Sequence, residues 1–266
     1  MIKFTYNKHC VKKRLGQNFL INNDVINNII SSISPKSTDV MVEIGPGLGA
    51  LTDHIYNIVH KLFVIEYDND LVTKLLIAYS NIKNLEIFFK NVLEFDFFRI
   101  GNNYYNSIRV FGNLPYNISV SILLHLFKYN NIVDIHCMFQ KEVADRLLAC
   151  PGTKNYGRLS IISQYYCNIT RLFDVYPQSF RPIPKINSTF LRLSPHKKYS
   201  CSMKNIKHLI KIVTLAFRNR RKILKNSLSE LFNENTLINL KINPMLRAEN
   251  LSVKQYCYLS NYISSL

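Results

Sequence analysis

Several residue types are scarce in this chain of 266 residues: it has no tryptophan, eight glycines, six cysteines, and only 17 acidic residues against 34 basic ones. The cysteines form no C-x-x-C pair and accompany no matching pair of histidines, so a zinc site is not expected, and a hydrophobic content of 47% makes a disulfide framework unnecessary. No apolar run approaches the roughly 20 residues of a membrane helix, and the basic N-terminus lacks the apolar segment of a secretory signal. We therefore expect a soluble, cytoplasmic protein without a metal site and without a membrane partner.

The basic residues give a net charge of +17 and are concentrated at the two ends of the chain. Residues 1–20 contain five basic and no acidic residues, residues 197–266 contain thirteen basic and three acidic ones, and the body between them is almost neutral. A/T-rich codons would also enrich Lys, Asn, Ile and Tyr, but such a bias would not confine the charge to the ends. This distribution predicts a polyanionic partner, nucleic acid ahead of an anionic membrane surface.

Short apolar runs alternate with helix-like stretches through most of the chain. The runs are residues 40–44, 61–66, 85–89, 107–111 and 133–139, and a late alternating strand covers 188–193. This alternation is typical of βαβ units, so we predict an α/β, Rossmann-like fold with a mostly parallel sheet. Ligands bind such sheets at the carboxyl ends of the strands, which makes the residues after 44, at 66 and after 111 the candidate site.

Helical periodicity replaces the strands from about residue 197. We therefore predict three parts: a basic N-terminal arm over 1–20, a cofactor-binding domain over 21–196, and a small, basic, all-helical domain over 197–266. Within the last part, Phe217, Leu224, Leu228 and Leu231 recur at helical spacing and predict one apolar helix face. The basic residues beside it are candidate nucleic-acid ligands, or simply the solvated side of a core helix: Arg218, Arg220, Arg221, Lys222 and Lys225.

The first predicted strand ends in Glu43-x-Gly45-x-Gly47-x-Gly49, a glycine-rich turn that would let the backbone approach a ligand closely. Glu66 ends the next strand 21 residues beyond Gly45, where a carboxylate accepts hydrogen bonds from both hydroxyls of a ribose. The spacing differs from the G-x-G-x-x-G of dinucleotide sites. Glu43 would repel a pyrophosphate and suit a cationic amino-acid group, which favours S-adenosyl-L-methionine over NAD as the cofactor.

The fourth predicted strand ends in Gly112-Asn113-Leu114-Pro115-Tyr116, beside the expected methyl donor. The amino group of adenine is a poor nucleophile because its lone pair is delocalised into the ring. The side-chain oxygen of Asn113 and the carbonyl of Leu114 could accept its two hydrogens and localise that pair. Pro115 would fix the direction of the carbonyl, and Tyr116 would stack on a flipped-out base. An ordinary turn uses the same residue types, so the motif alone predicts only a flat base that carries an amino group.

Further motifs extend over nearly the whole chain. They are KKRLGQNFL at 12–20, VEIGPGLGALT at 42–52, VIE at 64–66, FGNLPYNIS at 111–119, QKEVADRL at 140–147, YGRLS at 156–160, SFRPIPKINST at 179–189, FRNRRKILKNSL at 217–228 and RAENLSVKQY at 247–256. Together they resemble the ribosomal RNA adenine N6,N6-dimethyltransferase family, and the bacterial small-subunit (16S) branch looks most similar. The resemblance implies a class I methyltransferase that dimethylates two adjacent adenosines near the 3′ end of 16S rRNA, late in small-subunit assembly. Its partner would be the small ribosomal subunit, and we expect a monomer.

The same resemblance implies a set of cofactor ligands. Asn18 and Leu20 would close over S-adenosyl-L-methionine from the arm, and Gly45 would lie against its methionine part. The whole expected set is Asn18, Leu20, Glu43, Gly45, Gly47, Glu66, Asn91 and Asn113. Asn91 stands where the family usually has Asp. Its oxygen can still accept a hydrogen bond from the adenine amino group, so we expect binding to be retained and weaker by about 1 kcal/mol.

On the substrate side, the resemblance implies that Asn113 touches both donor and acceptor. Phe180, in the family's F-x-P-x-P pattern, would enclose the target base together with Tyr116. Two other functions stay open. Large-subunit rRNA methylases of the macrolide-resistance type share the glycine turn and an Asn-x-Pro-aromatic motif, and the basic flanks would also serve an rRNA-binding assembly factor whose catalysis is dispensable. An NAD-dependent oxidoreductase is a more distant alternative.

Overall fold

The structure, a computed structural model, describes residues 5–7, 9–101, 107–196 and 206–265. Its strands are β1 (Thr5–Tyr6), β2 (His9–Cys10), β3 (Phe19–Leu20), β4 (Val40–Ile44), β5 (Lys61–Glu66), β6 (Leu85–Phe89), β7 (Ile108–Gly112), β8 (Ile132–Gln140), β9 (Cys167–Val175), β10 (Phe180–Arg181) and β11 (Ser188–Pro195). Seven strands form one sheet in the order β6-β5-β4-β7-β8-β11-β9. The strands from β6 to β8 pair in parallel, and β11 is antiparallel to β8. The predicted Rossmann-like α/β fold is confirmed.

The helices are α1 (Asn23–Ile33), α2 (Thr52–Ile55), α3 (Asn69–Ala78), α4 (Phe98–Gly101), α5 (Ser119–Leu126), α6 (Lys141–Leu148), α7 (Arg158–Tyr166), α8 (Ile206–Arg218), α9 (Leu224–Ser227), α10 (Glu234–Asn239) and α11 (Val253–Ile263). Each of the five predicted apolar runs is a strand, displaced by at most one residue at either end. The late strand predicted over 188–193 is β11, which continues to Pro195. β9, β10 and the two-residue strands of the arm were not predicted. In the ranges that the structure describes, no helix is long and apolar enough to cross a membrane.

The sheet brings the predicted ligand-binding segments to one edge. β4 pairs in parallel with β5 on one side and β7 on the other, so their carboxyl ends lie together. All five residues of β4 are buried, which explains its uninterrupted apolar run. Gly112 ends β7 so close to β4 that a Cβ there would lie 2.3 Å from the carbonyl oxygen of Ile44. The absence of a side chain at residue 112 therefore permits the spacing of the two strands.

Contacts divide the chain into two compact units, which we describe separately. The first comprises residues 1–144 and 170–195, and the second comprises 145–169 and 196–266. The later segment of the second unit begins close to residue 197, but the unit also includes residues 145–169 with α7, which lie in the part of the chain predicted as the cofactor domain. Its core contains buried residues of α7, α8, α9, α10 and α11, among them Ile161, Ile212, Leu224 and Tyr256. The predicted limits of the N-terminal arm stay a prediction.

The continuous helix predicted over residues 217–231 is wrong. α8 ends at Arg218, and α9 begins only at Leu224. Between them the backbone leaves the helical pattern to pair with a later segment: Ile223 forms a β-bridge with Arg247, and the N–H of Leu224 donates to the carbonyl of Leu246 at 2.7 Å. The apolar positions are nevertheless internal, because Leu228 is fully buried in the core of the second unit.

Gly112→Ala should destabilise the protein. The added methyl group would meet the backbone of Ile44, which cannot move aside without separating β4 from β7. We expect the free energy of unfolding, measured with urea, to fall by about 2 kcal/mol. Gly157→Ala is the control, because its Cβ would meet only the ring of Phe217 at 4.0 Å. Equal losses in the two variants would contradict this explanation.

Candidate active site

A cavity of about 430 Å³ lies at the carboxyl ends of β4, β5 and β7. The N-terminal arm, the glycine turn and the loops after β5, β6 and β7 all contribute to its wall. Eleven of the twelve residues that the sequence predicts to bind cofactor or target base line it: Asn18, Leu20, Glu43, Gly45, Gly47, Glu66, Asn91, Asn113, Leu114, Pro115 and Tyr116. The twelfth, Phe180, does not. The cavity is therefore the candidate active site.

The glycine turn packs its main chain between the arm and the loop after β7. Gly45 and Gly47 have φ angles of +67° and +62°, in the left-handed region that favours glycine. A Cβ on Gly47 would lie 3.0 Å from Cδ1 of Phe19, and one on Gly45 would lie 3.8 Å from Cδ of Pro115. A side chain at either position would strain the turn, and one at Gly47 would also crowd Phe19, so the cavity depends on bare backbone here.

Glu66 is a buried carboxylate fixed by main-chain groups. Its Oε1 accepts hydrogen bonds from the N–H groups of Tyr67 and Asp68, both at 2.8 Å, and its Oε2 accepts one from Gly47 at 3.4 Å. Burial raises the pKa of Glu66, although these three bonds favour the ionised form. Oε1 already accepts two bonds, and Oε2 accepts one and keeps a lone pair, so the group can receive a ribose hydroxyl at Oε2 without moving.

Glu43 lies more deeply, at the end of β4. It is 1% exposed, and its Oε2 accepts a hydrogen bond from Oγ1 of Thr52 at 2.6 Å. Burial raises the pKa of Glu43 to about 8, and the nearby carboxylates of Asp53 and Glu66 add to the effect. At neutral pH burial therefore favours the protonated form of Glu43, and a positive charge placed beside the group would favour the carboxylate.

Asn113 is oriented by the arm. Its Nδ2 donates a hydrogen bond of 2.7 Å to the main-chain carbonyl of Asn18. Its Oδ1 is buried and finds no hydrogen-bond donor among the residues that the structure describes. A buried acceptor without a donor is costly, so this oxygen is what a ligand with an N–H group would satisfy.

Tyr116 lines the cavity with its ring and is anchored at its hydroxyl. That hydroxyl lies 2.5 Å from Oγ of Ser188, which is fully buried at the start of β11. Burial raises the pKa of Tyr116, so the phenol stays neutral. Ser188 was not predicted as a site residue: it falls within the motif at 179–189, but nothing in that motif pairs it with a tyrosine 72 residues away.

Phe180 is not at the cavity. It is fully buried in β10, which pairs with β3, and it packs in the core of the first unit with residues such as Leu20 and Phe190. The F-x-P-x-P pattern therefore supplies a core residue in this conformation, and the ring has no free face for a base. A stacking role for Phe180 stays a prediction that requires a different conformation.

Asn91 uses its amide to organise its own loop. Its Oδ1 accepts from the N–H of Leu93 at 3.1 Å, and its Nδ2 donates to Oε1 of Glu94 at 3.0 Å. The oxygen has a second lone pair, so it can still receive an amino group from the cavity. A carboxylate at residue 91 would instead face that of Glu94.

Comparison with known proteins identifies the family. The family model described as "Ribosomal RNA adenine dimethylase" matches residues 8–265. The chain is 58% identical over 258 residues to the "Ribosomal RNA small subunit methyltransferase A" of Buchnera aphidicola subsp. Baizongia pistaciae, with 97% of this chain and 98% of that protein covered. The chain belongs to the ribosomal RNA adenine dimethylase family. It is therefore a methyltransferase enzyme, as the sequence motifs predicted.

Solved structures agree with this dimethylase in fold. A dimethyladenosine transferase from Plasmodium falciparum superposes with a TM-score of 0.81 at 24% identity, and the match covers 92% of this chain and 97% of that one. The 23S rRNA methyltransferase ErmE gives a TM-score of 0.71 at 20% identity, with 92% and 99% covered. At these identities the likeness shows the methyltransferase fold and does not separate the two substrates.

The predicted RNA ligands of the dimethylase have different surroundings in the second unit. Arg220 is engaged internally: its Nε donates to Oε2 of Glu249 at 2.7 Å, and its Nη2 donates to the carbonyl of Lys154 at 2.6 Å. Arg218 and Lys225 form exposed ion pairs, with Glu230 at 3.1 Å and Glu234 at 3.5 Å. Arg221 and Lys222 are exposed on the turn between α8 and α9. Arg220 thus has a structural role, and RNA binding by the set stays a prediction.

Glu43→Gln should make stability less dependent on pH. The folded protein keeps the proton of Glu43 up to about pH 8, whereas the unfolded chain loses it near the ordinary value of 4.5. Wild-type stability therefore falls as pH rises between these values, and glutamine removes that fall. We expect the variant to gain a few kcal/mol relative to wild type between pH 5 and pH 9 in urea unfolding. The same gain in Glu142→Gln, an exposed control, would contradict this account.

Asn91→Asp should not strengthen cofactor binding by itself, because the new carboxylate would face Glu94. Combined with Glu94→Gln it should do so, by about fivefold, since a charged acceptor binds an amino group more strongly and the repulsion is gone. Calorimetric titration with S-adenosylhomocysteine measures both variants, with Glu94→Gln as the control. An equal gain in the single and double variants would exclude the coupling.

Proposed function

We propose that this dimethylase uses S-adenosyl-L-methionine to dimethylate N6 of two adjacent adenosines near the 3′ end of small-subunit (16S) rRNA, late in the assembly of the subunit. The observation that carries the proposal is the unpartnered Oδ1 of Asn113 in the cavity. An acceptor of that kind fits an amino group on a base, and the family is an rRNA adenine dimethylase.

The residues present in the cavity fit the proposed cofactor. Glu66 offers a fixed acceptor for a ribose hydroxyl, and Asn91 offers one for an adenine amino group. Glu43 supplies a group that becomes anionic beside a cation, which suits an α-ammonium. The bare turn at Gly45 and Gly47 leaves room for the methionine part. When bound, the cofactor would supply an electrophilic methyl group on a sulfonium.

The chemistry of the protein itself is the preparation of the N6 amino group. Oδ1 of Asn113 and the carbonyl of Leu114 would accept its hydrogens and localise the lone pair on nitrogen. Pro115 fixes the main chain that aims this carbonyl, and the anchored ring of Tyr116 presents a face to the base. The nitrogen becomes acidic as its new bond forms, so its proton passes to water without a strong base.

The choice of the small subunit is supported by relatives and charge. The Buchnera protein, which shares 58% of its residues with this chain, is named for the small subunit. The basic segments at both ends of the chain suit the phosphates of a folded RNA. The remaining expectations, a cytoplasmic monomer that requires no metal, stay predictions.

Methyl transfer to purified subunits tests the proposal. Unmethylated small subunits and large-subunit RNA are incubated with labelled S-adenosyl-L-methionine, and the modified bases are mapped. We expect label in two adjacent adenosines of 16S rRNA and none in large-subunit RNA. Label in large-subunit RNA would favour the macrolide-resistance type. Full restoration of subunit maturation by a catalytically inactive variant would favour an assembly factor.

Asn113→Ala should reduce the catalytic rate about a hundredfold, because it removes the acceptor for the reacting nitrogen. The affinity for small subunits should stay within about twofold of wild type, since Asn113 contributes no charge to phosphate binding. Single-turnover methylation and filter binding give the two values. If affinity fell as far as the rate, the amide would be a binding group and not an acceptor for N6.

Arg221→Gln combined with Lys222→Gln should weaken RNA binding most at low salt. Each cation that contacts a phosphate contributes about 0.7 to the slope of log affinity against log salt, so the slope should flatten by about 1.4. Lys83→Gln combined with Lys128→Gln, two exposed lysines from the nearly neutral middle of the chain, is the control. An unchanged slope in the Arg221→Gln, Lys222→Gln variant would show that these two residues are solvated and do not contact RNA.

A further inference from the structure

Asp68 is a buried carboxylate next to the cofactor side of the cavity but not part of its wall. It precedes α3 and is 1% exposed. Its N–H donates to Oε1 of Glu66 at 2.8 Å, and its own Oδ1 accepts from the N–H of Asp70 at 3.1 Å. Capping α3 needs only one of its oxygens, so the cap alone does not explain a buried charge.

The remaining contacts of Asp68 come from the N-terminal arm. Nζ of Lys12 lies 2.5 Å from Oδ1, and Nε2 of Gln17 donates to Oδ2 at 2.6 Å. Burial would raise the pKa of Asp68, but these two bonds outweigh it and the pKa is lowered, so the group is ionised. Charge-assisted bonds of this kind are roughly twice as strong as neutral ones. Asp68 is therefore an anchor for the arm.

The anchored residue Gln17 is adjacent to the group that orients Asn113. Its Oε1 also accepts from the N–H of Lys12 at 2.8 Å, which ties the two arm residues together. The next residue, Asn18, presents its carbonyl to Nδ2 of Asn113 at 2.7 Å. Because Nδ2 of Asn113 is held by this bond, the amide cannot flip, and Oδ1 remains the atom available to a ligand.

We propose that Asp68 is a positioning residue for methyl transfer. It holds Lys12 and Gln17, and so it fixes the Asn18 carbonyl that turns the Asn113 oxygen toward the target amino group. The inference rests on the proposed function of Asn113. The arm segment at Gln17 and Asn18 would then both cover the cofactor and orient the acceptor for N6.

A metal site is the competing interpretation of this cluster. Ligand atoms of His9, Asp68 and Asp70 lie within 4.8 Å of one another. The ammonium group of Lys12, however, lies 2.5 Å from Asp68 and 2.7 Å from Asp70, where a cation would sit. The positive charge between the two carboxylates is thus already provided by the chain.

The test compares Asp68→Asn, Lys12→Met and Lys12→Arg in methylation of unmethylated small subunits. The first two variants should lower the catalytic rate about tenfold or more, the scale of a lost charge-assisted bond, with little change in the KM for the subunit. Lys12→Arg should restore most of the rate, because it keeps the cation. Asp96→Asn is the matched control: it changes the same residue type where Oδ1 accepts from the N–H of Phe98 at 3.1 Å, at the start of another helix, and it should retain the wild-type rate.

Limited trypsin digestion reports the arm directly. In Asp68→Asn, cleavage after Arg14 should accelerate while the rest of the chain keeps its wild-type resistance. If Asp68→Asn does not fold, Lys12→Met, whose side chain is partly exposed, decides. A wild-type rate in Lys12→Met, or a slower rate without faster cleavage after Arg14, would overturn the proposal.

The digestion separates this inference from the proposed function. If the wild-type enzyme methylates no small subunits, the proposed function fails. Cleavage after Arg14 in the presence and absence of S-adenosylhomocysteine still shows whether Asp68 holds the arm. If Asp68→Asn and the wild type were cleaved after Arg14 at the same rate, both with and without S-adenosylhomocysteine, the anchoring of the arm by Asp68 would be overturned whatever the outcome of the methylation assay.

Discussion

The active site depends on the close approach of two parallel strands. The backbone of Gly112 lies against the carbonyl of Ile44, and this spacing fixes where β4 and β7 end relative to each other. Glu43 and Asn113, which come from these two strand ends, therefore reach the same cavity although they are far apart in sequence. The functional groups lie at the strand ends and in the loops that follow them, and the strand order of the sheet determines which of these loops are adjacent.

Three neighbouring acids are stabilised in three different ways. Glu43 is neutralised by burial, Glu66 is held by main-chain N–H groups, and Asp68 is paired with Lys12. Placing three like charges together would be unfavourable if all were solvated poorly and unpaired. Because their environments differ, the three acids have separate roles at one edge of the sheet. Glu43 can ionise beside a cation, Glu66 is a fixed hydrogen-bond acceptor, and Asp68 anchors the arm.

The sequence predicted those features that arise from local patterns and sheet topology. The runs that became β4 and β5 were found to the residue, because a buried parallel strand is apolar throughout. The carboxyl-edge rule then located the part of the cavity wall that follows β4, β5 and β7, whereas the wall formed by the arm does not follow from it. It could not reveal contacts between distant residues of ordinary type, such as Gln17 with Asp68 or Tyr116 with Ser188.

Local sequence patterns did not reveal the surroundings of two residues, for a physical reason. The spacing around Leu224 is helical, yet its backbone pairs with the segment at Leu246, and a tertiary hydrogen bond replaced the local one. Phe180 stands in a motif that suggests substrate contact, but its ring fills the core beneath the arm. Side-chain identity shows that a residue is apolar and does not show which apolar surroundings it takes.

The unpartnered oxygen of Asn113 has a consequence for how this enzyme tolerates change. A buried acceptor without a donor lowers the stability of the free protein, by about 1–3 kcal/mol in typical cases. An apolar residue of similar volume would remove that cost but would also lose the bond to the Asn18 carbonyl, which ties the arm to the loop after β7. One amide thus stabilises the fold through its nitrogen and lowers its stability through its oxygen, and only the oxygen serves a ligand.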